Sequence, residues 1–253
     1  GMSALNFIPI EEARSAPGLR LVLSPGVPAP WGLSARAVFE IKRIPFVCVA
    51  QMAGQDNSDL VAWTGHDNAP VAIYEDDCPR AHWSEQLILA ERLSPEPALI
   101  PRDQEQRFEM MGLAQEILGE DGLGWNLRNV TLAEVAKQRE VPPKMGRKYG
   151  SPVPVSEAIT RIEMILSSMT RRLEAQAARG SKFLVGDALS AVDLYWMSFS
   201  NLIQPMSAEL CEMPERYLGL CRIMAPLLNV DLTALIAHRD RIARHNFTLP
   251  FTH

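Results

Sequence analysis

The spacing of apolar positions divides the chain into two regions of different period. Leu19 to Ser24 is a short β-rich run closed by Pro25-Gly26, which predicts a strand and its turn. Leu33, Ala37, Val38 and Ile41 then recur at helical spacing, Pro45 ends that helix, and Phe46 to Ala50 forms a second strand, completing a β-α-β unit. A polar, irregular stretch follows from Gln51 to Asn68, with a short helix around Leu60 to Trp63. Val71 to Tyr74 and Cys78 to Ala81 flank Glu75-Asp76-Asp77 and predict a hairpin, and Ser84 to Leu93 is a helix stopped by Pro95 and Pro97. Residues 1–18 precede the first regular element and are read as an N-terminal extension, Gly1 before Met2 being a remnant of expression.

From Arg102 on the period is helical throughout. Phe108, Met111, Leu113, Ile117 and Leu118 mark one helix. A long one runs from Val155 to Arg179, where Ile159, Ile162, Leu166, Met169 and Leu173 stand near heptad spacing before Gly180 caps it. Between them Lys137 to Pro154 is rich in Pro, Gly, Lys and Arg, a solvated loop or a lid. Two further helices are expected around Pro214 to Met224 and Asp231 to His245. The stretch from Gly180 to Met197 organises this half. Ser190 followed by Asp193 reads as a capping box, with Leu189 and Leu194 as a hydrophobic staple, and it opens a helix from Ala191 to Leu202 that is apolar on most sides. Such a helix is buried, so it is the centre of a helical core.

Composition narrows the function classes. The chain has 253 residues and a net charge of −5, so it lacks the basic excess of a nucleic-acid binder. No apolar run approaches the roughly 20 residues of a membrane span, and the N-terminus lacks the order of a signal peptide. Cys48, Cys78, Cys211 and Cys221 are scattered without metal-ligand spacing, which fits free thiols in a reducing compartment. The expectation is a soluble, cytoplasmic protein without a metal site.

Phe183-Leu184-Val185-Gly186-Asp187, Leu189-Ser190 and Asp193 closely resemble the signature of the C-terminal helical domain of the cytosolic glutathione S-transferase superfamily. The order β-α-β, connection, β-β-α is also that of the family's N-terminal domain. The resemblance covers residues 19 to about 245 and implies an α/β thioredoxin-like, glutathione-binding domain over residues 19–94 and an all-α helical bundle over residues 102–253. It implies a homodimer, glutathione as co-substrate and a small apolar electrophile as the other substrate.

Three places would carry the chemistry. The first helix starts near Ala29-Pro30-Trp31-Gly32, where unpaired N–H groups and the helix dipole favour an anion. In the family, the glutathione thiol is held there as a thiolate, aided by a Tyr, Ser or Cys; here Ala29 stands at the family's Cys or Ser position. Ser24, Ser34 and the indole N–H of Trp31 are the remaining donors, and Trp31 and Ser24 are the catalytic candidates. The second place, Asn68-Ala69-Pro70-Val71, is similar to the family's Val-Pro-Val, whose cis proline exposes backbone to the cysteinyl part of glutathione. The third, Trp83-Ser84-Glu85, resembles the family's Trp-Glu-Ser or Trp-Asp-Ser with the acid and serine exchanged. Ser84 and Glu85 would face the γ-glutamyl end, or simply cap their helix. Met110, Met111, Trp125 and Tyr149 are candidate walls for the electrophile. The departures at Ala29 and Ser84-Glu85 keep a second reading open, a catalytically silent module of the same fold that binds a ligand or a partner.

Overall fold

A computed structural model describes residues 5–137 and 153–253. Strands β1 (Leu19–Leu23), β2 (Phe46–Ala50) and β3 (Val71–Tyr74) form one sheet in the order β2-β1-β3. β1 pairs parallel with β2, Leu23 opposite Ala50, and antiparallel with β3, Val22 opposite Val71. Period-two alternation sorts the side chains. Leu19, Leu21 and Leu23 join the main core under helix α2 (Pro30–Ile41), whereas Val22, Val49, Val71 and Ile73 form a smaller core on the opposite face. That smaller core takes Ala13 from α1 (Ile10–Ser15) and Leu60 from α3 (Ser58–Thr64). Helix α4 (Trp83–Leu93) completes this half.

Two expectations change here. The stretch before Leu19 is not free of regular structure: besides α1, Phe7 bridges to Cys48 on β2, with Ile8 N–H donating to Cys48 O at 2.9 Å. Arg20 ties it down. This buried guanidinium donates to the carbonyls of Ala13, Ala16, Ile73 and Glu75 and lies over the Trp63 ring. The second hairpin strand at Cys78–Ala81 shrinks to a single bridge, Ala72 with Arg80, since Pro79 has no N–H to continue a ladder.

The helical half comprises α5 (Gln104–Leu118), α6 (Leu123–Ala136), the long α7 (Val155–Ala178), α8 (Ala191–Ser200), α9 (Glu215–Cys221) and α10 (Thr233–Asn246). α6 is a helix the apolar period does not reveal, and most of Lys137 to Pro154 lies outside the described residues. On α5 the buried face is Met110, Ala114, Ile117 and Leu118; Phe108 points outward, 63% exposed. Among the described residues no helix is long and apolar enough to cross a membrane.

Every residue of α8 is buried. Its start is held by Asp193, which has no solvent exposure. Asp193 Oδ2 accepts the Ser190 N–H at 3.1 Å, while Oδ1 accepts the Leu184 N–H at 3.0 Å and the Nε2 proton of His238 at 2.8 Å. Arg241 fixes that tautomer: its Nη2, a donor only, lies 2.7 Å from His238 Nδ1. The expected capping box is present, Ser190 and Asp193 facing each other across the first turn, with the carboxylate as its well-formed half: Ser190 Oγ stands by the Asp193 N–H without reaching full hydrogen-bond geometry. The carboxylate does most of the holding.

α6 approaches α8 closely at Gly124. A Cβ built there would lie 2.1 Å from Phe199 Cε1.

Two substitutions test this packing by equilibrium denaturation. Asp193→Ala strands three buried donors and is expected to cost about 3–5 kcal/mol, well beyond an ordinary lost cap. A loss below about 1 kcal/mol would contradict that role for the carboxylate. Gly124→Ala is expected to cost about 1–3 kcal/mol by overpacking against Phe199 and to shift tryptophan fluorescence; an unchanged spectrum and midpoint would reject the close approach.

Candidate functional site

The strand register gathers the three sequence-predicted places at one end of the sheet. Because Leu23 pairs with Ala50 and Val22 with Val71, the residues just beyond, Ser24, Gln51 and the segment ending at Pro70, lie side by side. Ser24 Oγ donates to Gln51 Oε1 at 3.0 Å, and Gln51 Nε2 donates to Asp67 O at 3.0 Å. In this structure the Ser24 hydroxyl is engaged in propping the loop ahead of Ala69. The Ala69–Pro70 peptide is cis. Asn68 is exposed and Ala69 half-buried, and the N–H and C=O of Ala69 have no hydrogen-bond partner among the described residues.

Helix α2 begins at Ala29 with no side-chain cap and Pro30 at its first position. Its first backbone bond runs from Leu33 N–H to Ala29 O, so the N–H groups of Trp31 and Gly32 precede the ladder. Ser34 Oγ turns back to Pro30 O at 2.7 Å. Trp31 points toward the helical half, where its indole N–H donates to Leu118 O at 3.0 Å and its ring stands edge-on to Phe199, centroids 4.8 Å apart. Arg128 of α6 lies over the same ring, Cζ 5.0 Å from its centroid. The indole proton that could have faced a sulfur is engaged by a backbone carbonyl.

At α4, His82 is the N-cap. Its Nδ1 accepts the Ser84 N–H at 3.2 Å and lies 2.7 Å from Ser84 Oγ, while Glu85 Oε1 accepts the His82 N–H at 3.3 Å. Ser84 and the exposed Glu85 thus serve the helix start. Gln86, buried, bridges this helix to the neighbouring loop by donating to Pro70 O at 3.1 Å and Arg80 O at 2.9 Å. Next to it, Trp83 Nε1 is buried without a partner among the described residues, and its ring meets Tyr195 at 5.9 Å.

Sequence reasoning missed Gln51, Gln86 and Arg128. The first two were legible only as polar residues near predicted elements, and the contact of the third with Trp31 was not legible because the two are remote in sequence. Of the proposed walls, Met110 is core, Met111 and Trp125 are half-buried, and Tyr149 lies outside the described residues.

No protein thiol stands at the start of α2. Cys48, Cys211 and Cys221 are buried, and loss of hydration pushes their thiols up to about 11, about 12 and about 12; Cys78 is exposed in a distant turn. On the far side of α2, Arg36 donates to Glu40 Oε1 at 2.8 Å and Thr252 O at 2.6 Å and faces His253 Nδ1 at 3.2 Å. Burial, helped by the Arg36 charge, pushes the His253 imidazole down to about 4. Among the described residues no cluster of His, Cys, Asp or Glu could hold a metal ion.

The sequence matches no protein-family model and no curated protein. Solved structures do resemble it. A glutathione S-transferase of Methylobacterium radiotolerans in complex with glutathione sulfonate is 18% identical, with 93% of this chain and 96% of that one covered and a TM-score of 0.62. The beta-etherase LigF of Sphingobium sp. strain SYK-6 is 17% identical, with 89% and 94% covered and a TM-score of 0.61. A glutathione S-transferase of Methylobacillus flagellatus with glutathione bound is 16% identical, with 90% and 95% covered and a TM-score of 0.61. By fold the chain is therefore glutathione S-transferase-like, a thioredoxin-like domain followed by an all-helical one.

Proposed function

We propose that the end of the sheet at α2 binds glutathione and that the protein uses its thiolate on a small apolar electrophile. The carrying observation is the convergence there of an uncapped helix start, the unpaired backbone of Ala69 and the start of α4. Solved structures of this fold with glutathione sulfonate or glutathione bound support the reading. In it, the cysteinyl part pairs with Ala69 between Asn68 and Pro70, the γ-glutamyl end lies near Ser84 and Glu85, and the sulfur faces the N–H groups of Trp31 and Gly32. Trp31 and Ser24 flank the sulfur as positioning residues, since their donors are bound elsewhere.

The chemistry follows from the helix start. Backbone N–H groups and the dipole favour the ionised sulfur; the thiol proton passes to solvent. The thiolate lone pair then forms the bond to carbon, and any group displaced from the electrophile leaves with the bonding pair. Without a hydroxyl or thiol at Ala29, the thiol pKa falls only modestly. The division into residues 19–94 and 102–253, and action in the cytoplasm, belong to the same reading.

One set of observations favours a silent ligand-binding or interaction module instead: the Trp31 donor is occupied, Ala29 is a methyl group, and Ser84 and Glu85 act as a cap. Retention on immobilised glutathione with elution by free glutathione, followed by turnover of a general aromatic electrophile, separates the two. The enzyme reading expects slow turnover at neutral pH that rises toward the free-thiol value near roughly 8.5, and about tenfold faster neutral turnover in Ala29→Ser or Ala29→Cys. Binding without turnover in all three proteins would leave the module, and no binding would remove glutathione from both.

We also propose a homodimer. A groove of about 810 Å³ between α5 and α7 is lined by Phe108 and Met164, 63% and 57% exposed, and a second copy would cover these apolar side chains. Light scattering is expected to report twice the chain mass of 28.1 kDa, with Phe108→Glu shifting it toward one chain. A monomer at every concentration would reject the assembly.

A further inference from the structure

Helices α2, α4 and α8 leave a small cavity of about 10 Å³ between them, where the sheet half meets the helical half. That is about the room one water molecule needs, roughly 10–15 Å³, and too little for an organic ligand. Ser34, Trp83, Gln86 and Tyr195 line it with polar groups, beside Trp31, whose indole N–H is already bound to Leu118 O; the rest of the wall is aliphatic. Among the described residues no charged side chain lines it. The hydrogen bonds already made fix what each polar group has left. Ser34 Oγ spends its one proton on Pro30 O, at 2.7 Å, and can only accept. Gln86 Nε2 spends both of its protons, on Pro70 O and Arg80 O, so what remains is Oε1, again an acceptor only. Those two carbonyls also settle which end of the amide carries the nitrogen. Trp83 Nε1 is a donor only, buried and without a partner among the described residues. Tyr195 is 2% exposed, and its hydroxyl makes no hydrogen bond among the described residues. Loss of hydration pushes the pKa of that hydroxyl upward, so it keeps its proton.

We propose that this cavity binds one internal water molecule, which accepts hydrogen bonds from Trp83 Nε1 and Tyr195 Oη and donates its own two protons to Ser34 Oγ and Gln86 Oε1. A space of this size brings its walls within reach of one molecule at its centre, and two donors with two acceptors complete the four bonds of a water. They fit no ion. A cation has no use for the Trp83 N–H, and an anion would face two acceptors with no positive charge beside it. Left without such a partner, a buried indole N–H and a buried phenol hydroxyl would each be desolvated at a cost. The water acts as a joint. Ser34 holds Pro30 at the start of α2, Gln86 holds Pro70 and Arg80 beside α4, and Tyr195 comes from α8, so one molecule links the bracing of the α2 start to that of the Ala69–Pro70 segment. Such a water is independent of what the end of the sheet binds.

Nuclear magnetic resonance of the isotope-labelled protein tests this through the Trp83 indole proton, identified as the tryptophan signal lost in Trp83→Phe. A cross-peak from that proton to the water resonance is expected, with the sign of a molecule that stays bound for longer than the protein takes to tumble. Tyr195→Phe and Ser34→Ala, each leaving three of the four partners, are expected to retain it. Ser34→Val puts methyl groups into the space and is expected to abolish the cross-peak while the indole signal itself remains. Where a variant does not fold, a crystal structure of the wild-type protein decides: water density within about 2.6–3.2 Å of Trp83 Nε1 and of at least two of the other three atoms supports the site. Absence of the cross-peak from the wild-type protein, its survival in Ser34→Val, or its loss in Tyr195→Phe or Ser34→Ala, which would assign the signal to a hydroxyl proton, would overturn the proposal. So would a crystal structure without that density, or one in which Trp83 Nε1 donates directly to a protein atom. None of these outcomes bears on the glutathione reading.

Discussion

A carboxylate removed from water must have its oxygens occupied, and the helical half is arranged around one that is. Asp193 gathers the Leu184 and Ser190 N–H groups and His238 to a single side chain, fixing the loop before α8, the start of α8 and α10 relative to one another. The helix so anchored carries three aromatic residues. Trp196 donates its indole N–H to Leu235 O at 2.9 Å on α10, Tyr195 meets Trp83 of α4, and Phe199 meets Trp31 of α2. The position of the α2 start is thus set partly from the other domain, through packing that begins at one buried charge.

What could be read from the chain and what could not divide along physical lines. β1, β2, β3 and α2 follow from local period and punctuation; the structure has the three strands within a residue of the expected bounds, and α2 starts at Pro30 and ends at Ile41, short of Pro45. α6 escaped because Asn126, Asn129 and Thr131 are buried polar residues that break the apolar stripe. Phe108 lies on α5 as the period expects and yet faces outward, because an apolar residue in phase with a stripe need not point to the core. At the site, the helix start, the Ala69–Pro70 segment and the Ser84–Glu85 pair were legible as positions. Their bonding was not, because it depends on partners far along the chain: the carbonyl that Trp31 donates to, Leu118, is 87 residues away. Arg128 likewise has no local signature that sets it apart from any other helical arginine.

The polar side chains around the site serve the backbone first. Ser24 and Gln51 brace the loop before Ala69, Gln86 links that loop to α4, and His82, Ser84 and Glu85 settle the first turn of α4. What these braces leave unpaired among the described residues is main chain: the Ala69 peptide groups and, ahead of the helix ladder, the N–H groups of Trp31 and Gly32.

The segment before Leu19 has a consequence of a different kind. β2 lies at the outside of the sheet, and a strand in that position presents free N–H and C=O groups to any extended chain that meets it. Phe7 and Ile8 occupy part of that rim, and Arg20 fastens the α1 that follows by its carbonyls. The segment therefore acts as a guard against edge-to-edge aggregation. A truncation beginning at Leu19 would uncover the rim and leave Arg20 with two of its four carbonyl acceptors missing.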